Sequence, residues 1–384
     1  MGTAGTSDER APAPLLKRVS EQAGPDGFVR FDRFMEVALY AEPGGYYTSP
    51  RPPVGTAGDF YTAAHVSPLF AATFGARLRE VRGKMGPGEA FRLVELGPGD
   101  GALMEGLLTS IPPGSPELEG LEVVLVERSS SLRARSLERV RPTAGTLGVE
   151  VRTSQALGSI GPFEGMVLAN ELLDAQPVRR LRRQGEGWVE LGVRDRNGRL
   201  EPAEAPLAEP VPGSPLPSGA AEGTIVEVSP AAESLIREAA DHLTRGALVV
   251  DDFGMEEKEL LAGHPHGTLD GVRAHRAGWD PLEAPGSVDL STFVNFTRLR
   301  AAASVSGLTL LSDRTQAEAL GAWGFQELFD RALVAATSPE AEVRLRLAVK
   351  NLLFGFERFR ILEFAPASEA ARAAPPRWQV GRSS

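Results

Sequence analysis

Residues 94–102 read VELGPGDGA: an apolar run that stops at Leu96, then Gly97, Gly99 and Gly101 set around Pro98 and Asp100. A helix-like segment, ALMEGLLTSI, follows from Ala102. Strand, bare loop and helix in that order put the loop at the carboxyl end of a first strand, where doubly wound sheets bind ligands. Glycine tolerates positive φ and carries no Cβ, so a ligand can rest on the main chain itself. A tight turn accounts for one such glycine and leaves the other two unexplained. Gly97, Gly99 and Ala102 satisfy the Ala-ended form of the dinucleotide fingerprint, which makes a nicotinamide-dependent oxidoreductase one reading. Glu95 and Asp100 argue against it, since both would repel a pyrophosphate and attract a cationic ligand such as a sulfonium bearing a free ammonium group.

Outward from the loop, short apolar runs recur: LEVVLVE (121–127), VEVRT (149–153), GMVLAN (165–170) and GALVVDDF (246–253). Helix-like segments such as SSSLRARSLERV separate them, the βαβ alternation of a parallel sheet covered on both faces. Glu127 closes the second run thirty residues after Gly97, where a carboxylate can take both hydroxyls of a ribose. The fourth run leads into ANELLDAQPV (169–178), which puts Asn170, Glu171 and Asp174 at the mouth of the same crevice. If a helix begins there, Glu171 and Asp174 share a face at i,i+3. Between the fourth and fifth runs, QGEG and DRNG read as turns of a hairpin meander. RRLRRQ (179–184) reads there as an exposed strand with solvated arginines.

The remaining organisation follows from composition and period. Residues 1–14 are small, polar and proline-containing and are expected to be disordered. Residues 15–88 form an N-terminal cap segment with helical periods at Leu15–Leu39 and at 67–85, the latter opened by Ser67 and Pro68. Residues 89–200 hold the first part of the core with its hairpin, 201–222 are a proline-rich loop, and 223–384 complete the sheet and end in a helix near 339–353 and a strand at 358–364. Acidic residues outnumber basic ones, 51 to 41, for a net charge of −10, so neither nucleic acid nor an anionic membrane is an expected partner. There is no cysteine, which excludes disulfides, thiolate catalysis and cysteine-ligated metals. The five histidines offer one close pair, His264 and His266, in a loop context, and no metal site is expected. No apolar stretch nears the roughly 20 residues of a membrane span and no signal core opens the chain, so a cytoplasmic protein is expected. The N-terminal M-G-x-x-x-[ST] match carries little weight.

GDFYTAAHVSPLF (58–70), ELGPGDGALMEGLL (95–108), ANELLDAQPV (169–178) and DPLEAPGSVDLSTFVNF (280–296) occur in the order seen in the MidA-like family of class I S-adenosylmethionine-dependent methyltransferases. The sequence resembles a bacterial-type member over roughly residues 15–335. That family includes the mitochondrial arginine methyltransferase needed for respiratory complex I assembly. The resemblance implies an α/β fold: a Rossmann-like, doubly wound, mostly parallel sheet with an N-terminal helical segment and a substrate-side insertion. It implies S-adenosylmethionine as cofactor, with Glu95, Gly97, Gly99, Asp100, Gly101 and Glu127 around it. Asp59 and Thr62 would lie on the approach, and Asn170, Glu171 and Asp174 by the reacting methyl.

Two departures from the family pattern bear on the acceptor. T-x-P-E-[VI]-S stands here as Thr62 to Ser67 with Ala64 and His65 in place of proline and glutamate; D-[VIL]-T-A-H-V-D-F stands as Asp289 to Phe296 with Phe293 and Asn295 in place of histidine and aspartate. A guanidinium favours bidentate carboxylates, so an arginine acceptor would use Glu171 and Asp174. A hydroxyl on a small molecule would instead use His65 or His275 as general base. Both acceptors stay open, as do a catalytically silent assembly factor and a homodimer.

Overall fold

The computed structural model describes residues 13–49, 63–86, 88–213, 215–273 and 276–367. Asp59, Thr62, His275 and the N-terminal dozen therefore lie outside the described residues. Two amphipathic helices, α1 (Ala13–Ser20) and α2 (Phe31–Tyr40), flank a three-residue strand, β1 (Phe28–Arg30). A short α3 (Ala63–Val66) precedes α4 (Pro68–Arg82), whose first turn holds Pro68 while Ser67 accepts the Leu69 amide at 3.3 Å. That is the start its sequence predicts.

The core then alternates as expected: β2 (Phe91–Leu96), α5 (Ala102–Thr109), β3 (Leu121–Val126), α6 (Ser130–Leu147), β4 (Glu150–Ser154) and β5 (Phe163–Asn170). A meander interrupts it with β6 (Arg179–Gln184), β7 (Gly187–Arg196), β8 (Arg199–Pro206) and β9 (Ile225–Val228), and α7 (Pro230–His242) leads back to β10 (Leu243–Met255). After α8 (Glu257–Gly263) come β11 (Asp270–Val272), β12 (Asp289–Ser291) and β13 (Val294–Asn295). The chain closes through α9 (Phe296–Val305), β14 (Leu308–Thr315), α10 (Gln316–Ala322), α11 (Phe325–Val334), α12 (Pro339–Phe354) and β15 (Phe359–Pro366).

The main sheet runs β14-β15-β10-β5-β2-β3-β4, with β13 beside the end of β10. The pairs from β10 through β5, β2 and β3 to β4 are all parallel, and β15 alone runs against its neighbours β10 and β14. Alternate side chains of these strands feed two hydrophobic layers. Leu93, Val123, Leu168 and Val249 meet Phe70, Phe74 and Leu107 of α4 and α5; Val94, Val124, Val167 and Val250 meet Ile236 of α7 and Leu299 of α9. Each of these buried side chains contributes about 1.5 to 3 kcal/mol of transfer free energy. Because β3 and β5 lie on opposite sides of β2, the crevice above the carboxyl ends of β2 and β5 is the switch point where ligands bind.

The meander builds a second, antiparallel sheet, β1-β7-β6-β9 with β8 beside β7. β1 was not foreseen as a strand; three residues are too few to show a period. β8 extends into the stretch expected as a loop, to Pro206, and β9 joins this sheet rather than the main one. The arginines of β6 are not simply solvated. Arg179, 2% exposed, pairs with Glu190 and donates to the carbonyls of Pro210 (3.0 Å) and Glu209 (3.1 Å). Arg298 of α9, 3% exposed, binds Glu233 at 3.1 Å and the Pro212 carbonyl at 3.1 Å. The proline-rich loop is therefore tied down by two buried guanidinium groups. No helix among the described residues is long and apolar enough to cross a membrane.

Candidate functional site

The loop after β2 takes the shape its glycines allow: φ is 62° at Gly97, 55° at Gly99 and 86° at Gly101. Gly97 donates to the Val126 carbonyl at 2.9 Å, which joins the ends of β2 and β3. Gly101 serves packing instead, as a Cβ there would stand 3.0 Å from the Ser136 carbonyl oxygen of α6. It is the one predicted loop glycine that does not line the crevice. Beside this loop lies a cavity of about 390 Å³, within the range of small-molecule sites.

Three carboxylates set its electrostatics. Glu95, 3% exposed, has an oxygen with no partner, and burial with the nearby charges of Asp100 and Glu127 pushes its pKa up to about 8. Glu127, 7% exposed, accepts the Ser129 amide at 2.8 Å and is pushed by burial to about 7. Asp100 behaves differently from the expectation that it draws the ligand. Although burial opposes it, the His65 ring (3.1 Å) and Arg139 (2.7 Å) hold its carboxyl below the usual range. It fastens α3 and α6 to the loop, and its charge is already matched. His65 lines the cavity with its Nε2 bonded to Asp100.

At the other lip, Asn170 and Glu171 end β5 and face the cavity. No helix begins there. Glu171 has φ 49°, one of two positive values at non-glycine residues among those described, and its amide donates to the Asp251 carbonyl at 2.8 Å. Its carboxylate accepts the Ala63 amide at 2.8 Å, and burial pushes its pKa up to about 8. Asp174 lies behind the lip and does not line the cavity; burial raises it well above the ordinary range, with Asp252 and Asp289 adding to the effect.

Several residues of the site have no signal in the glycine or acid patterns. Tyr40 and Tyr47 stack at 5.4 Å between ring centroids and form a wall of the cavity, with Tyr47 donating to Asp289 at 2.8 Å. Gln155 and Ala156 line the end beyond Glu127. Gln155 follows β4 much as Glu127 follows β3, so asking what stands after each strand would have found it. Asp251 and Asp252 lie where β10 stops pairing with β5, three residues before the strand itself ends.

Bare main chain at Gly97 and Gly99, Glu127 near the second strand end and an unpaired buried carboxylate at Glu95 fit a nucleoside with a cationic amino-acid arm. They do not fit a pyrophosphate. Glu127 would take the ribose hydroxyls, Glu95 the ammonium group, and Gln155 with Leu157 the base.

Comparison with known proteins agrees. Residues 73–312 match the family model described as "Putative S-adenosyl-L-methionine-dependent methyltransferase". The mitochondrial protein arginine methyltransferase NDUFAF7 of Mus musculus is 27% identical over 334 residues, covering 80% of this chain and 74% of that protein. The Homo sapiens protein of the same name is 28% identical over 315 residues, covering 76% and 69%. A crystal structure of a COG1565 superfamily member from Burkholderia thailandensis, bound to S-adenosyl-homocysteine, superposes with TM-score 0.79 at 29% identity over 96% of this chain and 95% of that one. These matches leave no place for the nicotinamide reading: the chain belongs to this S-adenosylmethionine-dependent methyltransferase family, with S-adenosylmethionine as its cofactor.

Proposed function

We propose that the methyl acceptor is the guanidinium of a protein arginine. The observation that carries this reading is Glu171: a carboxylate buried at the lip of the crevice, held by the Ala63 amide and the Asn170 side chain, with no basic side chain bonded to it among the described residues. A planar cation placed there would supply the missing charge and let the carboxyl ionise. The name carried by the NDUFAF7 relatives supports the same acceptor.

The bound cofactor supplies an activated methyl group on a sulfonium. The protein's part is positioning, which is worth up to about 7 to 11 kcal/mol when nucleophile and carbon are held at near-attack distance. Glu171 would orient the guanidinium and disperse the charge that builds on it, and Asn170 would hold Glu171 in place. The small-molecule hydroxyl reading needs a base facing the acceptor; its candidate among the described residues, His65, spends Nε2 on Asp100. Incubating the protein with radiolabelled S-adenosylmethionine and host lysate, then separating protein from small molecules, tests the proposal. Label recovered as methylarginine is the expected result. Label confined to small molecules would replace it with the hydroxyl reading.

A further inference from the structure

Where the pairing of β10 with β5 stops, β10 carries two consecutive acids, Asp251 and Asp252, with opposite fates. Ala247 and Val249 face the layer of α4 and α5, whereas Leu248 and Val250 face that of α7 and α9. By strand alternation Asp251 points to the first layer and Asp252 to the second. Asp252 accepts the amides of Leu172 (3.1 Å), Leu173 (2.7 Å) and Phe253 (3.0 Å) and so fixes the bend that carries Glu171. Asp251 is 1% exposed, and neither of its carboxylate oxygens has a partner.

Buried polar groups without partners are rare, and a carboxyl is among the costliest. Asp251 holds no main chain in place with its side chain, so local structure does not explain it. Its in-register neighbour on β5 is Asn170, which lies on the same face, beyond Met166 and Leu168. The charges acting on it are those of Glu171 and Asp252. A basic side chain on that face, Arg77 of α4, is committed to Glu363 at 2.6 Å and to Glu80. Asp251 thus stands beside Asn170 on the neighbouring strand, behind the lip that carries Glu171.

We propose that Asp251 is the second carboxylate of the acceptor site, forming with Glu171 a two-acid clamp for a guanidinium. This rests on the arginine reading and replaces Asp174 in the partner role expected from sequence. Asp251 lies behind the cavity wall, so the cation reaches it as Glu171 exchanges the Ala63 amide for the incoming group.

The test uses the full-length protein saturated with S-adenosyl-homocysteine and titrated calorimetrically with N-acetyl-arginine amide, with the citrulline analogue as neutral control. Asp251→Asn is expected to weaken arginine binding at least tenfold while leaving S-adenosyl-homocysteine affinity unchanged, and to raise the melting temperature at pH 8. A residue with only a structural role would lower it. Asp251→Ser serves as a second variant with the same expectations. Equal arginine affinity in wild type and variants, no arginine binding by wild type, or a lowered melting temperature overturns the proposal. The lysate labelling is an independent readout: label on small molecules with Asp251-dependent arginine binding would sink the acceptor reading and keep the cation site.

Discussion

On the arginine proposal, the acceptor chemistry falls on one strained residue, Glu171. A non-glycine residue at φ 49° costs about 1 to 3 kcal/mol and persists where surrounding contacts over-determine it. Here the contacts are the Asp251 carbonyl on its amide and the Ala63 amide on its carboxylate. Glu171→Gln keeps size and backbone while removing charge; turnover should fall about 10²-fold or more with unchanged S-adenosyl-homocysteine affinity. A variant retaining full turnover would remove Glu171 from the acceptor site. The loop glycines separate by the same close reading. A Cβ at Gly97 would stand 2.6 Å from Cδ1 of Leu172, a side chain that can yield into the crevice. A Cβ at Gly101 meets the α6 main chain, at 3.0 Å from the Ser136 oxygen and 3.1 Å from its Cα, which cannot yield so easily. Gly97→Ala should therefore weaken cofactor binding more than it lowers the melting temperature, and Gly101→Ala should do the reverse, with a loss of about 1 to 3 kcal/mol.

At the scale of elements, the strands of the parallel core were legible because burial on both faces writes a continuous apolar run, as in VVLV (123–126) and MVLA (166–169). The hairpin turns were legible because Asn197 and Gly198 adopt the positive φ that their types favour, 57° and 83°. The ligand loop was readable for the same reason: positive φ selects glycine. What a sequence does not print is pairing. Nothing in RRLRRQ says that Arg179 turns inward to Glu190 while Arg180 reaches Glu227, or that Asp252 takes three amides while Asp251 takes none. No helix begins over Glu171 to Asp174, because the Leu172 and Leu173 amides go to Asp252, 80 and 79 residues away. The proline-rich stretch reads as a loop by composition and is fixed by contacts. Arg298→Met removes the nearer of Glu233's two cations, leaving Arg237 at 3.9 Å, and frees the Pro212 carbonyl, so it should cost up to about 3 kcal/mol. Chemical denaturation checks this, and a cost below about 1 kcal/mol would mean that the loop is not anchored there.

Across the whole molecule, the acid groups divide by the sign of their shifts. Those on the outside, such as Glu122 and Glu256, are held below their ordinary values by arginine partners despite partial burial, and contribute stability above the ordinary carboxyl value that is lost as pH falls through their own lowered values. Three in the crevice go the other way, Asp100 being the exception: Glu95 and Glu171 rise from 4.5 to about 8 and Glu127 from 4.5 to about 7, each chiefly through burial. Between 4.5 and those values the folded protein holds protons that the unfolded chain has released. Stability present below the unfolded value is then lost as pH rises through the folded one. The net charge of −10 adds repulsion in the same direction. The protein alone should therefore melt at a lower temperature at pH 8 than at pH 5.5. A ligand bearing an ammonium group beside Glu95 favours the ionised carboxyl and should offset this loss, so the rise in melting temperature with saturating S-adenosyl-homocysteine should be larger at pH 8 than at pH 5.5. Thermal melts at the two pH values, with and without ligand, decide it. A ligand-induced rise that is equal at both would mean that the crevice carboxyls do not meet the cationic arm, and Glu95→Gln should abolish most of the difference if they do.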